Sequence, residues 1–219
     1  MSALTLAEIR AIVRFRGDFR NTLRFPDLNV NAEIQAAFAE FYELVADTNE
    51  GYWDTQGTVT TTANVAFVTL PTDSWRVRGV DRVDGTDFIE MRQIGVSERN
   101  RYGSDTDEPC AYRLTARGLD LFPTPDAVYS IRVTYTPRAP ALIEATAREY
   151  YNGWEEYVIY GALIRLAENE ERDTSEWQNR IDRQAARIKG GASQRKAAEP
   201  EYINLRQGYG DDLPDERWR

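Results

Sequence analysis

The hydrophobic period of this chain changes twice, and that change limits the folds open to it. From Thr5 to Asn49 apolar residues recur at helical spacing, from about Tyr52 to Pro137 they alternate, and after Pro140 helical spacing returns. A segment patterned for one period cannot bury its apolar side in the other, so helices are expected at both ends and strands between them. The pattern predicts an α+β chain: an antiparallel helical bundle with an inserted antiparallel β domain and an extended C-terminal tail. The implied divisions are 1–50 and 140–190 for the bundle, 51–139 for the β domain and 191–219 for the arm.

The first helix is expected over "TLAEIRAIVRFR", where Thr5 and Glu8 have capping-box spacing and Leu6, Ile9 and Val13 share a face. A second, capped by Asn31, carries the stripe Ile34, Phe38, Phe41, Val45 and closes at Asn49 to Gly51. Strands are then expected around a turn at Ala63-Asn64. Hairpins should follow, folded at Asp84-Gly85 and at Arg117-Gly118, with a polar loop over 97–109 holding at most one helical turn. In "VYSIRVTYTP", Tyr129, Ile131, Val133 and Tyr135 fall on one apolar face. This predicts six to seven antiparallel strands in all.

Asn152 and Glu155 suggest a capping box for the next helix, whose run Val158 to Ile164 is continuously apolar and therefore expected to be buried on most sides. Trp154, Val158 and Ile164 are its expected packing residues. Gly161 costs such a helix about 1 kcal/mol relative to Ala, so close approach of another backbone is its expected reason. The last helix is expected from a Thr174 cap, with Trp177, Ile181, Ala185 and Ile188 on one face, to a stop at Lys189-Gly190-Gly191. Beyond it there is no stripe, yet Tyr202, Ile203, Leu205, Tyr209, Leu213 and Trp218 are more apolar anchors than a purely solvating tail carries.

Composition narrows the chemistry. The 219 residues contain no histidine, and Cys110 is the one cysteine, so an internal disulfide or thiolate cluster is impossible and the usual general base near neutral pH is missing. Cys110 itself reads as a small buried side chain. The net charge of -9 and pI near 4.8 oppose tight wrapping of nucleic acid. Lys189 and Lys196 are the only lysines among 27 basic residues. That bias suits bidentate interface contacts, though a GC-rich coding sequence is the preferred explanation. No apolar run approaches the ~20 residues of a membrane span, and the N-terminus lacks signal-peptide features, so a cytoplasmic setting is expected.

Neither Glu168, Glu170, Glu171 and Asp173 at a helix end nor Asp105, Asp107 and Glu108 make a metal loop, and Arg16-Gly17-Asp18 reads as a chance tripeptide. The aromatic cluster Tyr150, Tyr151, Trp154, Tyr157 and Tyr160 reads as core packing rather than a base-stacking platform. No catalytic, cofactor or metal site is expected. A carboxylate hydrolase would need two acids about 5 to 9.5 Å apart in a cleft, and the sequence offers no convincing pair.

The order of these elements resembles the head-to-tail adaptor proteins of tailed bacteriophages, also called head-completion or tail-accessory connector proteins. The resemblance runs over about residues 1–190. It rests on Leu70-Pro71 with an acidic residue soon after, the strand into an Asp-Gly turn, and "YRLTARGLDLFPTPDAVYSIRVTYTPRAPAL" with its Tyr-x-Leu, Leu-x-Leu and Pro-x-Pro steps. The tyrosine-rich helix with Gly161-Ala162-Leu163 completes it. It implies a non-enzymatic virion protein without cofactors: a ring, typically of twelve, beneath the portal protein, extending the DNA channel and docking the tail or a nozzle or stopper protein. Double-stranded DNA would pass through without sequence-specific binding, no membrane would be involved, and assembly would occur in the host cytoplasm. The tail residues Tyr202, Ile203, Leu205, Tyr209, Leu213 and Trp218 would form a portal-binding arm. The readings left beside it are a tail terminator or baseplate component and a cytoplasmic interaction adaptor unconnected with phage.

Overall fold

The structure is a computed structural model that describes residues 4–102, 105–142 and 153–194. It is α+β, with four α-helices and two four-stranded sheets among these residues. Helix α1 (Leu6–Gly17) begins with the expected capping box: the Glu8 amide donates to Thr5 Oγ1 at 3.2 Å, and the Thr5 amide donates to Glu8 Oε2 at 2.7 Å. It ends at Asp18, which adopts the left-handed conformation (φ 56°). Gly17 is required there, because a Cβ would lie 2.2 Å from the Phe19 ring folding back beneath it.

Helix α2 (Asp27–Thr48) starts earlier than expected. Pro26 occupies the cap position, where its missing N–H loses nothing, and its carbonyl accepts from the Asn29 and Val30 amides. Asn31 therefore lies inside the helix and accepts a hydrogen bond from Arg10 at 3.3 Å, tying α1 to α2. Helix α3 (Glu155–Glu168) has Trp154 at its cap without a side-chain bond, and the expected cap Asn152 lies outside the described residues. In α4 (Ser175–Gln194) Thr174 holds the expected position before the first turn, its carbonyl accepting from the Gln178 amide at 2.9 Å, and the Asp173 side chain accepts from the Ser175 amide at 3.0 Å. This helix also continues through Gly190-Gly191, the expected stop. Gly191 lies against Trp154, so tertiary packing overrides the local propensity.

Helix α3 packs against α1, α2 and α4. Their shared core includes Ile9, Val13, Ile34, Phe38, Phe41, Val158, Ile159, Leu163 and Ile188, each essentially inaccessible. Full burial of such a side chain contributes about 1.5–3 kcal/mol, so this core dominates the helical part.

The strands are β1 (Thr55–Thr60), β2 (Phe67–Val68), β3 (Ser74–Asp84), β4 (Asp87–Glu90), β5 (Arg92–Gln93), β6 (Ala111–Thr115), β7 (Gly118–Phe122) and β8 (Ser130–Pro137). They form the sheets β1-β8-β3-β4 and β2-β7-β6-β5. That is one strand more than the sequence pattern indicates, and β5 pairs with β6 in parallel. The connection 94–110, which holds a 3-10 turn at Glu98–Tyr102, is long enough for such a crossover. The turn at Ala63-Asn64 lies where expected, closed by a Thr62–Val65 bridge. Both hairpin turns fall one residue from expectation: Asp84 pairs with Asp87, and Thr115 with Gly118. Ile131, Val133 and Tyr135 of β8 face a second core with Val80, Leu119 and Leu121, as the alternation predicts.

Candidate functional site

Where helices meet sheets, an aromatic stack sits beside ion pairs. Tyr42 of α2 stacks on Trp53 with centroids 4.7 Å apart and planes 12° from parallel. The Trp53 indole N–H donates to the Tyr42 carbonyl at 3.2 Å, and the Tyr42 hydroxyl donates to the Pro137 carbonyl at 3.1 Å. These side chains, with Asp73, Arg138, Ala139 and Pro140, line an open cavity of about 510 Å³. Arg138 and the adjoining Pro71 to Ser74 turn also border a groove of about 640 Å³, walled by Leu70, Trp75, Arg76, Arg78, Leu114 and Arg117. The two share Arg138 and flank the 71–74 turn, so they adjoin as a trough with an aromatic and proline end and an arginine end.

The arginines differ in their ties. Arg76 lies 3.9 Å over the Trp75 ring and pairs with Asp47 at 2.6 Å. Arg78 sits between Glu50 and Asp54 at 3.7 and 3.9 Å. Arg117 and Arg138 are exposed and make no ion pair among the described residues; Arg117 only crosses the Phe67 ring at 5.2 Å. This trough had no local signature. Its residues come from α2, from strands of both sheets and from the exit after β8; pairing of β3 with β8 joins one wall, and Leu114 and Arg117 are brought in from the other sheet. The visible hint was Arg76 and Arg78 flanking Val77 beside Trp75.

Of the residues singled out in the sequence, Gly161 faces α2. A Cβ there would lie 2.9 Å from Ala37 Cβ. Val158 is inaccessible, Trp154 nearly so, and Ile164 is partly exposed. The rings of Trp154 and Tyr157 each sit 6.1 Å from Phe41, and burial raises the Tyr157 phenol above its ordinary range. Tyr160 lies beneath Arg16 and Arg180. Arg16 makes a two-pronged bond to Glu156 at 2.8 and 2.9 Å, and this bond holds the Glu156 carboxyl below its usual value. Tyr150, Tyr151 and the arm residues Tyr202, Ile203, Leu205, Tyr209, Leu213 and Trp218 lie outside the described residues.

Of the acids at the α3 end, Glu170 pairs with Arg24, and Asp173 accepts from the Ser175 amide at the start of α4. Among the described residues, no three His, Cys, Asp or Glu side chains come together to hold a metal ion, and no helix is long and apolar enough to cross a membrane. Cys110 is exposed, contrary to the sequence reading. It precedes β6, and the neighbouring Pro109 and Ala111 take the buried positions.

Exposed apolar side chains occur on both sides of the molecule, with Phe15, Leu23 and Leu28 on the helical side and Phe88, Val96 and Val128 on the β side. The sequence profile of the SU10 adaptor protein family matches residues 3–202, so the chain belongs to this family of phage head-to-tail adaptors. It is accordingly a structural adaptor of the virion. A search of curated proteins returned no match.

Proposed function

We propose that this adaptor forms a ring, of about twelve copies by the family resemblance, beneath the portal protein, where it extends the DNA channel and presents a docking surface to the tail or to a nozzle or stopper protein. In this reading residues 1–50 and 140–190 act as a helical bundle forming the ring wall, and 51–139 as an inserted domain with a second contact surface. Residues beyond α4 act as an arm reaching the portal through Tyr202, Ile203, Leu205, Tyr209, Leu213 and Trp218. Gly161, Trp154, Val158 and Ile164 serve this design by fixing α3 within the wall.

The observation that carries the proposal is the family match over residues 3–202. A ring built from heterologous contacts needs two unlike faces on each subunit, and the separate exposed apolar groups on the helical and β sides supply candidates. A net charge of -9 per copy would keep a channel wall from adhering to passing DNA. The test is quantitative mass spectrometry of DNA-filled particles separated on a density gradient. About a dozen copies per particle, reduced when the chain is truncated after Gln194, is the expected result. Absence from filled particles would overturn the placement.

A further inference from the structure

The trough presents exposed arginines without ion pairs among the described residues and has the last turn of α4 close by. We propose that it is the docking site of residues 209–218 of the same chain, so that the arm is parked on its own subunit before it engages another partner. The proposal uses the arm named above but does not require that the arm bind the portal.

Three observations converge on this occupant. The first is where α4 leads. Gly191 lies against Trp154, with an ideal Cβ 3.3 Å from its Cζ2. Trp154 neighbours Tyr52 at 6.4 Å, and Tyr52 meets Trp53 at 4.6 Å between ring centroids. Trp53 lines the aromatic end of the trough. The last turn of α4 is thus a few side chains from the site. Residues 195–208, fully extended at about 3.3 Å each, span roughly 46 Å. That is ample for the following segment to reach the trough within one chain.

The second is charge. Arg117 and Arg138 lie exposed and make no ion pair among the described residues, beside Arg76 and Arg78. The segment carries Asp211, Asp212, Asp215 and Glu216 within six positions. Complementary charge of this kind fixes register and discourages other occupants.

The third is side-chain type. Tyr209, Leu213 and Trp218 interrupt those acids with apolar anchors, and the trough offers a floor of Trp53, Tyr42 and two prolines beside its arginines. A tether this short gives an effective concentration in the millimolar range, so weak individual contacts suffice to hold the segment.

The experiment places the photo-crosslinker p-benzoylphenylalanine at Tyr209 of the full-length chain, irradiates the purified protein alone, and maps the products by mass spectrometry. The expected products join residue 209 to peptides containing Trp53, Trp75–Arg78 or Arg138, within one chain. Their yield should not change over about a hundredfold dilution, as an intramolecular contact requires. Arg117→Glu together with Arg138→Glu should reduce that yield at least about tenfold, and adding Asp211→Arg and Asp212→Arg should restore it. Crosslinks mapping elsewhere, an undiminished yield in the arginine variant, or no recovery in the charge-swapped chain would overturn the proposal. So would dimeric products that fade on dilution, which would place a second copy's segment in the trough. Because no portal is present, portal binding can fail or succeed independently of this result.

Discussion

Gly161→Ala is the smallest change that tests how the helices are held together. The new Cβ would stand 2.9 Å from Ala37 Cβ and 3.7 Å from Ala37 Cα, whereas carbon atoms rest at about 3.5–4.0 Å. Neither helix can relieve this by swinging a flexible side chain, since both atoms are fixed to backbone and Ala37 is fully inaccessible. α2 and α3 must therefore separate by roughly 0.6–1 Å along a face that includes Phe38, Phe41 and Val158. Overpacking of this kind costs about 1–3 kcal/mol, and Ala recovers about 1 kcal/mol of helix propensity, leaving a net loss near 0–2 kcal/mol. Gly161→Leu keeps the clash and adds volume, so its loss should reach at least about 2 kcal/mol, or roughly 4–8 °C in Tm for a chain this size. Urea unfolding of both variants checks the magnitudes. Ala37→Gly in the Gly161→Ala background should recover most of the packing loss, giving a coupling energy of about 1 kcal/mol or more between the sites. An unchanged Tm for Gly161→Leu, or strictly additive effects at 37 and 161, would refute the close approach.

Other outcomes follow from local geometry. Thr5→Ala removes the capping box of α1 and should cost about 1 kcal/mol in urea unfolding, with faster amide exchange confined to the first turn. The Glu156 carboxyl, lowered in the fold by its bond to Arg16, stabilises the fold above the unfolded carboxylate range and loses that effect as pH falls through its folded value. Glu156→Gln should therefore destabilise at pH 7 and flatten the acid limb of a Tm-against-pH curve; both side chains are more than a third exposed, so the effect should stay below about 1 kcal/mol. The Tyr129 hydroxyl donates to Asp126 at 2.6 Å, which pushes its ionisation up to about 12. A difference titration of native protein against Tyr129→Phe should show it ionising late, and Asp126→Asn should return it toward the ordinary tyrosine range.

Signals that act within a few residues were readable from the sequence, and those that depend on distant partners were not. Thr5 and Glu8 find each other within one turn, and the alternation of β8 needs only one buried side. Asn31 has the residue type of a cap, but Pro26 had already started the helix and Arg10 had claimed the Asn31 side chain. Gly190-Gly191 has the composition of a stop, yet Trp154, nearly forty residues earlier, packs against the helix there. Glycine marked the two hairpins but could not say which residues close each ladder, and both turns moved by one position. The trough was the least legible feature. The β3–β8 pairing puts Arg76 and Arg78 beside the exit that carries Arg138, the other sheet contributes Arg117, and the Tyr42–Trp53 stack supplies the aromatic end.

That stack also decides how firmly the helical and β cores are joined. Besides the Gln35 side chain, which donates to the Pro140 carbonyl and accepts from the Leu142 amide, two kinds of contact cross the junction: ion pairs such as Arg76–Asp47 and Arg78–Glu50, and the Tyr42–Trp53–Pro137 arrangement with its two hydrogen bonds. The acids of the ion pairs are more than half exposed, so each pair contributes at most about 1 kcal/mol and weakens with salt. The stack is partly buried and joins Tyr42 of the first core to the last residue of β8. Removing an indole from such a position costs about 2–4 kcal/mol, toward the lower side of Trp→Ala losses in cores. The orientation of the two cores should therefore survive high salt and fail on loss of the ring. Trp53→Ala should raise amide exchange around Pro137 to Leu142 and across the C-terminal turns of α2, while ~0.5 M salt leaves native exchange there nearly unchanged, since salt acts on the exposed pairs alone. If salt loosens the junction and Trp53→Ala does not, the ion pairs hold it and the aromatic stack is incidental.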